Sequence, residues 1–194
     1  MARKARVTAP PREQEAAILR AAAAEFTEAG VRQANMDAIA TTAGVSRSTL
    51  YRRFPSKDNL LLALANDTFE RGMADLERAT EGLAPADAVV EAFTRGATMI
   101  NEDPLLRRMV LEDSEIRGLT ASLSSLFIDM VTERVAGTLR EAGAQMPDHA
   151  LRRAVEIHVR LVISYLEVPS SDESVHTPAG ARALAAEFLA PMIH

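Results

Sequence analysis

Residues Met36 to Leu61 read MDAIATTAGVSRSTLYRRFPSKDNLL. Asn35, just before them, is a residue type that caps helices by accepting a backbone N–H bond. Met36, Ile39 and Ala40 recur at helical spacing and predict a short helix with one apolar face. Ala43-Gly44 follows, and glycine tolerates the positive φ of a helix C-terminus and tight turn. Val45 packs in next, and Ser46 suits the cap of a second short helix from Arg47 to about Arg53. Leu50 and Phe54, one turn apart, give that helix its buried edge, and Pro55 ends it, because the residue before a proline avoids the helical region. Two short helices joined by a glycine turn, the second with Arg, Ser, Thr, Tyr and two more Arg on its open face, describe a helix-turn-helix. The partner that such a face matches is DNA.

Ile39-Ala40, Ala43-Gly44-Val45-Ser46, Thr49-Leu50-Tyr51, Phe54 and Ser56-Lys57 stand in the order and spacing of the TetR family of one-component regulators, which this stretch resembles. The resemblance covers roughly residues 12 to 62, about a quarter of the chain. Beyond Leu61 only the family's general pattern of helices is similar. The chain departs from many relatives at Arg53, where they carry histidine, and at Ser48, where they carry glycine or alanine.

Working outward, composition bounds the rest. The 194 residues are 47% hydrophobic, ample for a core, and alanine and leucine, both strong helix formers, dominate. The expected class is all-α. An N-terminal three-helix helix-turn-helix domain, residues 1–56, precedes a C-terminal helical domain, residues 57–194, with about nine helices in all. No cysteine is present, so disulfides and thiol chemistry are excluded. The first residues, MARKARVTAPP, lack the apolar run of a signal peptide, and no apolar stretch approaches the roughly 18 residues that span a bilayer. A cytoplasmic protein without membrane association is expected. Net charge is −5, which taken whole argues against nucleic acid. Its distribution argues the reverse: residues 1–57 hold ten Lys and Arg against five Asp and Glu, the remainder twelve against twenty-two. A basic head on an acidic body suits a DNA-binding domain joined to a domain of another kind.

Arg3, Lys4 and Arg6 in the tail read either as a disordered terminus or as a basic arm touching phosphates. A first helix is expected from about Arg12 to Ala29, with Gly30 as its cap, and a fourth from Ser56 or Lys57 to about Ala79. Nothing flexible separates head from body, so this fourth helix is the mechanical link. Further helices are predicted over Pro85–Asn101, Pro104–Leu111, Ile116–Ala142, Asp148–Leu166 and from Pro178 to about Met192. The second half of the Asp148–Leu166 helix is apolar nearly all round, so it should be buried on more than one side. A second copy of the chain is the expected cover, the last two helices meeting their mates in a two-fold four-helix interface through Val155, His158, Val159, Val162, Tyr165, Leu184 and Phe188. The family resemblance implies the same homodimer.

Arg47 and Ser48 begin the recognition helix, the end that reaches base edges in this motif, and Arg47 suits guanine O6 and N7. Arg52 is a second candidate reader. Ser46, Thr49, Tyr51, Arg53 and Lys57 suit phosphates, Asn35 joins the set from the preceding helix, and the resemblance implies backbone contacts for Tyr51 and Lys57 above all. Phe69, Met73, Phe93, Met99, Met109, Phe127 and Met130 are plain core or, as a set, the lining of an apolar pocket, where the family holds its inducers. Glu91, Glu112, Arg95 and Arg108 are possible polar anchors. The four histidines, His149, His158, His176 and His194, include no pair four apart, so neither a metal site nor a cofactor is expected. With no glycine-rich phosphate loop and no G-x-S-x-G, an enzyme is not expected either. The reading is a dimeric repressor of double-stranded operator DNA, released by a largely apolar or amphipathic small molecule. The rivals are a regulator controlled by a protein partner or by abundance, and a helical small-molecule-binding or scaffold protein without operator binding.

Overall fold

The computed structural model describes residues 10–107, 114–168, 170–172 and 177–194, and gives the backbone alone for 106, 114–127, 166 and 167. Among the described residues every regular element is helical. The chain forms two compact units, Met1–Thr68 and Phe69–His194. The first ends twelve residues beyond the start expected for the second domain, inside a helix whose early turns bury Leu60 and Leu64.

The first unit contains α1 (Pro11–Gln33), α2 (Met36–Thr42), α3 (Arg47–Arg53) and the start of α4 (Lys57–Thr80). Prolines at the head of α1 cost nothing there, because a first-turn N–H has no helical partner. The helix runs past its expected end, through a kink at Gly30, whose φ of 77° and ψ of 157° suit glycine alone. Ile18, Phe26, Ile39, Leu50 and Leu60 are fully buried. Each such side chain contributes about 1.5–3 kcal/mol on burial, enough in sum to hold a unit this small.

The second unit contains the rest of α4, then α5 (Pro85–Glu102), α6 (Pro104–Arg107), α7 (Ser114–Glu141), α8 (Asp148–Glu167) and α9 (Pro178–Leu184). Its core joins Val89 and Phe93 of α5, Leu139 of α7, Leu151 and Val155 of α8 and Leu189 near the C-terminus. Ion pairs strap α4 to its neighbours: Asp75 to Arg95 of α5 at 2.6 Å, and Glu77 to Arg134 of α7 at 2.5 Å. The Arg95 guanidinium beside Asp75, aided by Arg78, holds that carboxyl below its ordinary 3.8. Arg140 clasps the α7–α8 turn, donating to Met146 O at 2.6 Å and pairing with Asp148 at 2.5 Å.

The last helix differs from expectation. α9 has seven residues and gives way to a wider π turn, Ala185–Leu189, and a tight 3-10 turn, Ala190–Met192. Pro191 accounts for the change of winding, since it offers no N–H and its ring crowds the carbonyl four residues earlier. Among the described residues no helix is long and apolar enough to cross a membrane.

Candidate functional site

α2 and α3 are built by local chemistry. The Asn35 side chain accepts from Asp37 N at 2.8 Å and so caps α2, while Asn35 N donates to Glu25 of α1 at 2.9 Å. At the other end Gly44, with φ of 69°, lets Gly44 N reach Thr41 O and Val45 N reach Ala40 O. Ser46 Oγ accepts from Thr49 N at 3.2 Å, capping α3, and lies 3.0 Å from Ser48 Oγ and 2.9 Å from Thr49 Oγ1. Leu50 is buried on the inner side of α3. Arg47, Ser48, Tyr51 and Arg52, at helical positions that share the opposite face, are exposed.

The basic residues differ in what holds them. Arg47 Nε lies 3.1 Å from Asp37 Oδ1, and its guanidinium carbon stands 5.5 Å from the centre of the Tyr51 ring, within cation–π range. Arg53 pairs with Glu15 of α1 at 3.1 Å and is mostly covered, its Nε buried without a partner. Lys57 Nζ donates to Arg32 O at 2.7 Å. This explains a lysine at the start of α4, where the helix dipole disfavours it: the ammonium sits on a carbonyl at the far end of α1, where the dipole welcomes it. Arg52 is exposed and meets no charged partner among the described residues. Asn35, Ser46, Arg47, Ser48, Thr49, Tyr51, Arg52, Arg53 and Lys57 thus all lie in the first unit, on or beside α2 and α3. Asp37 and Glu15 belong to the same constellation and were missed. Their only sequence signal is an acid in the first turn of a helix, which is common.

The residues expected to line a pocket are not gathered in one place. Phe93 borders a cleft of about 170 Å³ between α5, α8 and α9, with Ala97, Thr98, Val162, Tyr165 and Leu184. Met73 is buried in the packing of α4 against α5 and α7, and the Met99 methyl lies 2.9 Å from where a Cβ on Gly72 would stand. Phe69 is half-buried on α4, and Met130 on α7 is 37% exposed. Met109 lies outside the described residues, as do Arg108, Glu112, the tail with Arg3, Lys4 and Arg6, and the side chain of Phe127. Arg95 and Glu91, the remaining polar anchors, are engaged by Asp75 and Arg182.

Of the residues expected at a two-fold interface, Val155 is 1% exposed and sits in the core of its own unit, with no surface left for a partner. His158 is buried as well, its Nε2 without a partner, and burial pushes the imidazole from 6.5 to about 4. Val159, Val162, Tyr165 and Leu184 are half-buried, the last three bordering the cleft. Phe188 is 62% exposed, and Ile157 on α8 is 45% exposed.

Two family models match this chain. "Bacterial regulatory proteins, tetR family" covers residues 18–64, and the "Bacterial Tetracyclin repressor, C-terminal domain" covers residues 85–189, more than half the chain. An uncharacterised helix-turn-helix transcriptional regulator of Mycobacterium tuberculosis is 30% identical over 178 residues, 91% of this chain and 83% of that protein. The transcriptional repressor LfrR of Mycolicibacterium smegmatis is 29% identical over 57% of this chain and 56% of its own. Among solved structures, a putative TetR-family regulator from Mesorhizobium loti aligns with a TM-score of 0.67 at 18% identity, covering 93% of this chain and 95% of that one. Bacillus subtilis FadR, solved in complex with stearoyl-CoA, aligns with a TM-score of 0.63 at 16% identity, over 92% and 99% of the two chains. With a helix-turn-helix head, a helical body and a family model spanning that body, the chain belongs to the TetR family of DNA-binding transcriptional regulators, which are not enzymes.

Proposed function

We propose that the chain acts as a homodimer on a near-palindromic operator, as a repressor released by a largely apolar or amphipathic small molecule. The observation that carries this reading is the exposed face of α3, where Arg47, Ser48, Tyr51 and Arg52 stand out while Leu50 is buried beneath them. Arg47 and Arg52 read base edges. Asn35, Ser46, Thr49, Tyr51, Arg53 and Lys57 position the head on phosphates. DNA binding belongs to residues 1–56, and ligand binding and dimerisation to residues 57–194.

Exposed Ile157 and Phe188 support the dimer, because side chains of that size are normally covered. Two heads so joined would enter successive major grooves about 34–36 Å apart. The repressor role draws on LfrR, a repressor by name, and the apolar effector on FadR with its stearoyl-CoA. α4 runs without interruption from Lys57 to Thr80, and its second half is tied to α5 and α7 by ion pairs. An effector that repacks the body would shift α4 and with it the separation of the heads. The coupling is limited by the effector's differential affinity for the two separations.

The test is selection of duplexes from a random-sequence pool by the purified protein, followed by titration of the winner at several salt concentrations. Sequence-selective, salt-steep binding that is lost in an Arg47→Ala, Tyr51→Ala double variant is the expected result. Failure to select any sequence would refute the operator reading. If no compound in a fatty-acyl and aromatic library both stabilises the protein and weakens the selected complex, the effector part is wrong.

A further inference from the structure

The acid closest to the recognition helix lies on the other helix of the pair. Asp37 occupies the first turn of α2, and its Oδ1 is 3.1 Å from Arg47 Nε. Tyr51, one turn along α3, presents its ring to the same guanidinium at 5.5 Å. Asp37, Arg47 and Tyr51 therefore form one stack on the exposed side of the head.

Which nitrogen is engaged matters. Nε faces the carboxylate, which leaves Nη1 and Nη2 without a protein partner among the described residues. That pair forms the planar fork that matches guanine O6 and N7. The Arg47 and Asp37 side chains are 69% and 50% exposed, so their attraction adds little to stability. A carboxylate beside a DNA-reading helix also repels phosphates. It weakens binding to every sequence alike and needs another reason to be there.

The geometry points to Asp37 as a positioning residue that sets base specificity through Arg47. A free arginine on a helix surface has many rotamers and is drawn to whichever phosphate is nearest. With Nε held by Asp37 and its face over Tyr51, Arg47 is ordered before DNA arrives, and its fork is kept for a base edge. Less freedom is lost on reading the right base, and a phosphate contact with the same arginine must compete with a carboxylate. This inference rests on Arg47 being a base reader, as proposed above.

The test uses the full-length protein and the duplex it selects from a random pool. Arg47→Ala first identifies the base pair at which preference disappears. Asp37→Asn should then lower the preference for that guanine by about threefold to tenfold while leaving the other positions unchanged. Affinity for an arbitrary duplex at the same salt should rise about two- to fivefold as the repulsion is removed. Asp37→Glu, which keeps a carboxylate within reach, should retain most of the preference. A thermal melt checks that each head is folded, with Asp37→Ser, another good first-turn residue, as the substitute if Asp37→Asn melts early. Preference unchanged within twofold in Asp37→Asn overturns the inference, and so does an equal loss at all positions, the mark of a merely structural role. If the wild type selects nothing, or Arg47→Ala alters no base preference, the underlying reading of Arg47 falls and takes this one with it.

Discussion

Arg53 at the end of the recognition helix lies 3.1 Å from Glu15 of α1, whereas its neighbour Arg52 has no such counter-ion among the described residues. Adjacent arginines thus enter DNA binding from different starting points. Each phosphate newly neutralised adds about 0.9 to the slope of log K against log salt. Arg52→Ala should reduce that slope by close to this amount if Arg52 meets a phosphate, and by much less if it reads a base. Arg53→Ala should change it by well under half as much, because Glu15 already neutralises that charge. Titration of one duplex at four or five salt concentrations would check both.

Leu50 is the inward anchor of the recognition helix and is fully buried. Leu50→Ala leaves a cavity beneath α3 and should destabilise the first unit by about 2–5 kcal/mol. Urea denaturation followed by circular dichroism would measure it. DNA affinity should fall only as far as the folded fraction does, since no exposed group is altered.

Asp75 gives the second unit a sensitivity to acid. Its folded-state pKa is held below 3.8 by Arg95, so its contribution is present above that value and lost as pH falls through the depressed one. Asp75→Asn should therefore lower the melting temperature at pH 7. The gap between variant and wild type should close below about pH 3.

His158 acts in a different window. The folded protein keeps the imidazole neutral down to about pH 4, whereas the unfolded chain takes up a proton near 6.5. Between those values the unfolded state binds more protons, so stability is full above 6.5 and falls as the pH drops to about 4, by roughly 3 kcal/mol in all. His158→Leu should flatten that part of the profile. Denaturant midpoints at half-unit pH intervals would show the difference.

Phe188 and Ile157 test the two-fold interface, both being exposed in a single chain. Phe188→Glu or Ile157→Arg should shift the protein from dimer to monomer in sedimentation, without lowering the melting temperature of the monomer. Val155→Ala serves as the contrast: buried in its own core, it should cost about 1–3 kcal/mol of folding stability and leave the sedimentation state alone.

Helix starts were legible because they are written in neighbouring residues. Asn35, Ser46, Pro85, Asp148 and Pro178 each stand at or next to an observed start, and Gly30 and Gly44 carry the positive φ expected of them. Partners distant in sequence were not legible. Glu15 is 38 residues from Arg53, and the Lys57 ammonium meets the Arg32 main chain, which carries no signal in its residue type. The scattering of Met73, Met99 and Met130 has the same origin. Helical spacing marks which face is apolar, but what that face meets depends on the packing of whole helices.

The π turn at Ala185–Leu189 holds one residue more than a regular helix would need there. Removing one of these five residues would rewind the segment to ordinary α-helix and rotate everything after it by about 100°. Leu189 and Ile193, both buried, would swing away from the core, and exposed Phe188 would be re-aimed with them. The segment should therefore tolerate a change of residue at exposed Ala186 or Glu187 far better than a change of length. Among homologues its letters can drift while its spacing to Pro191 stays fixed.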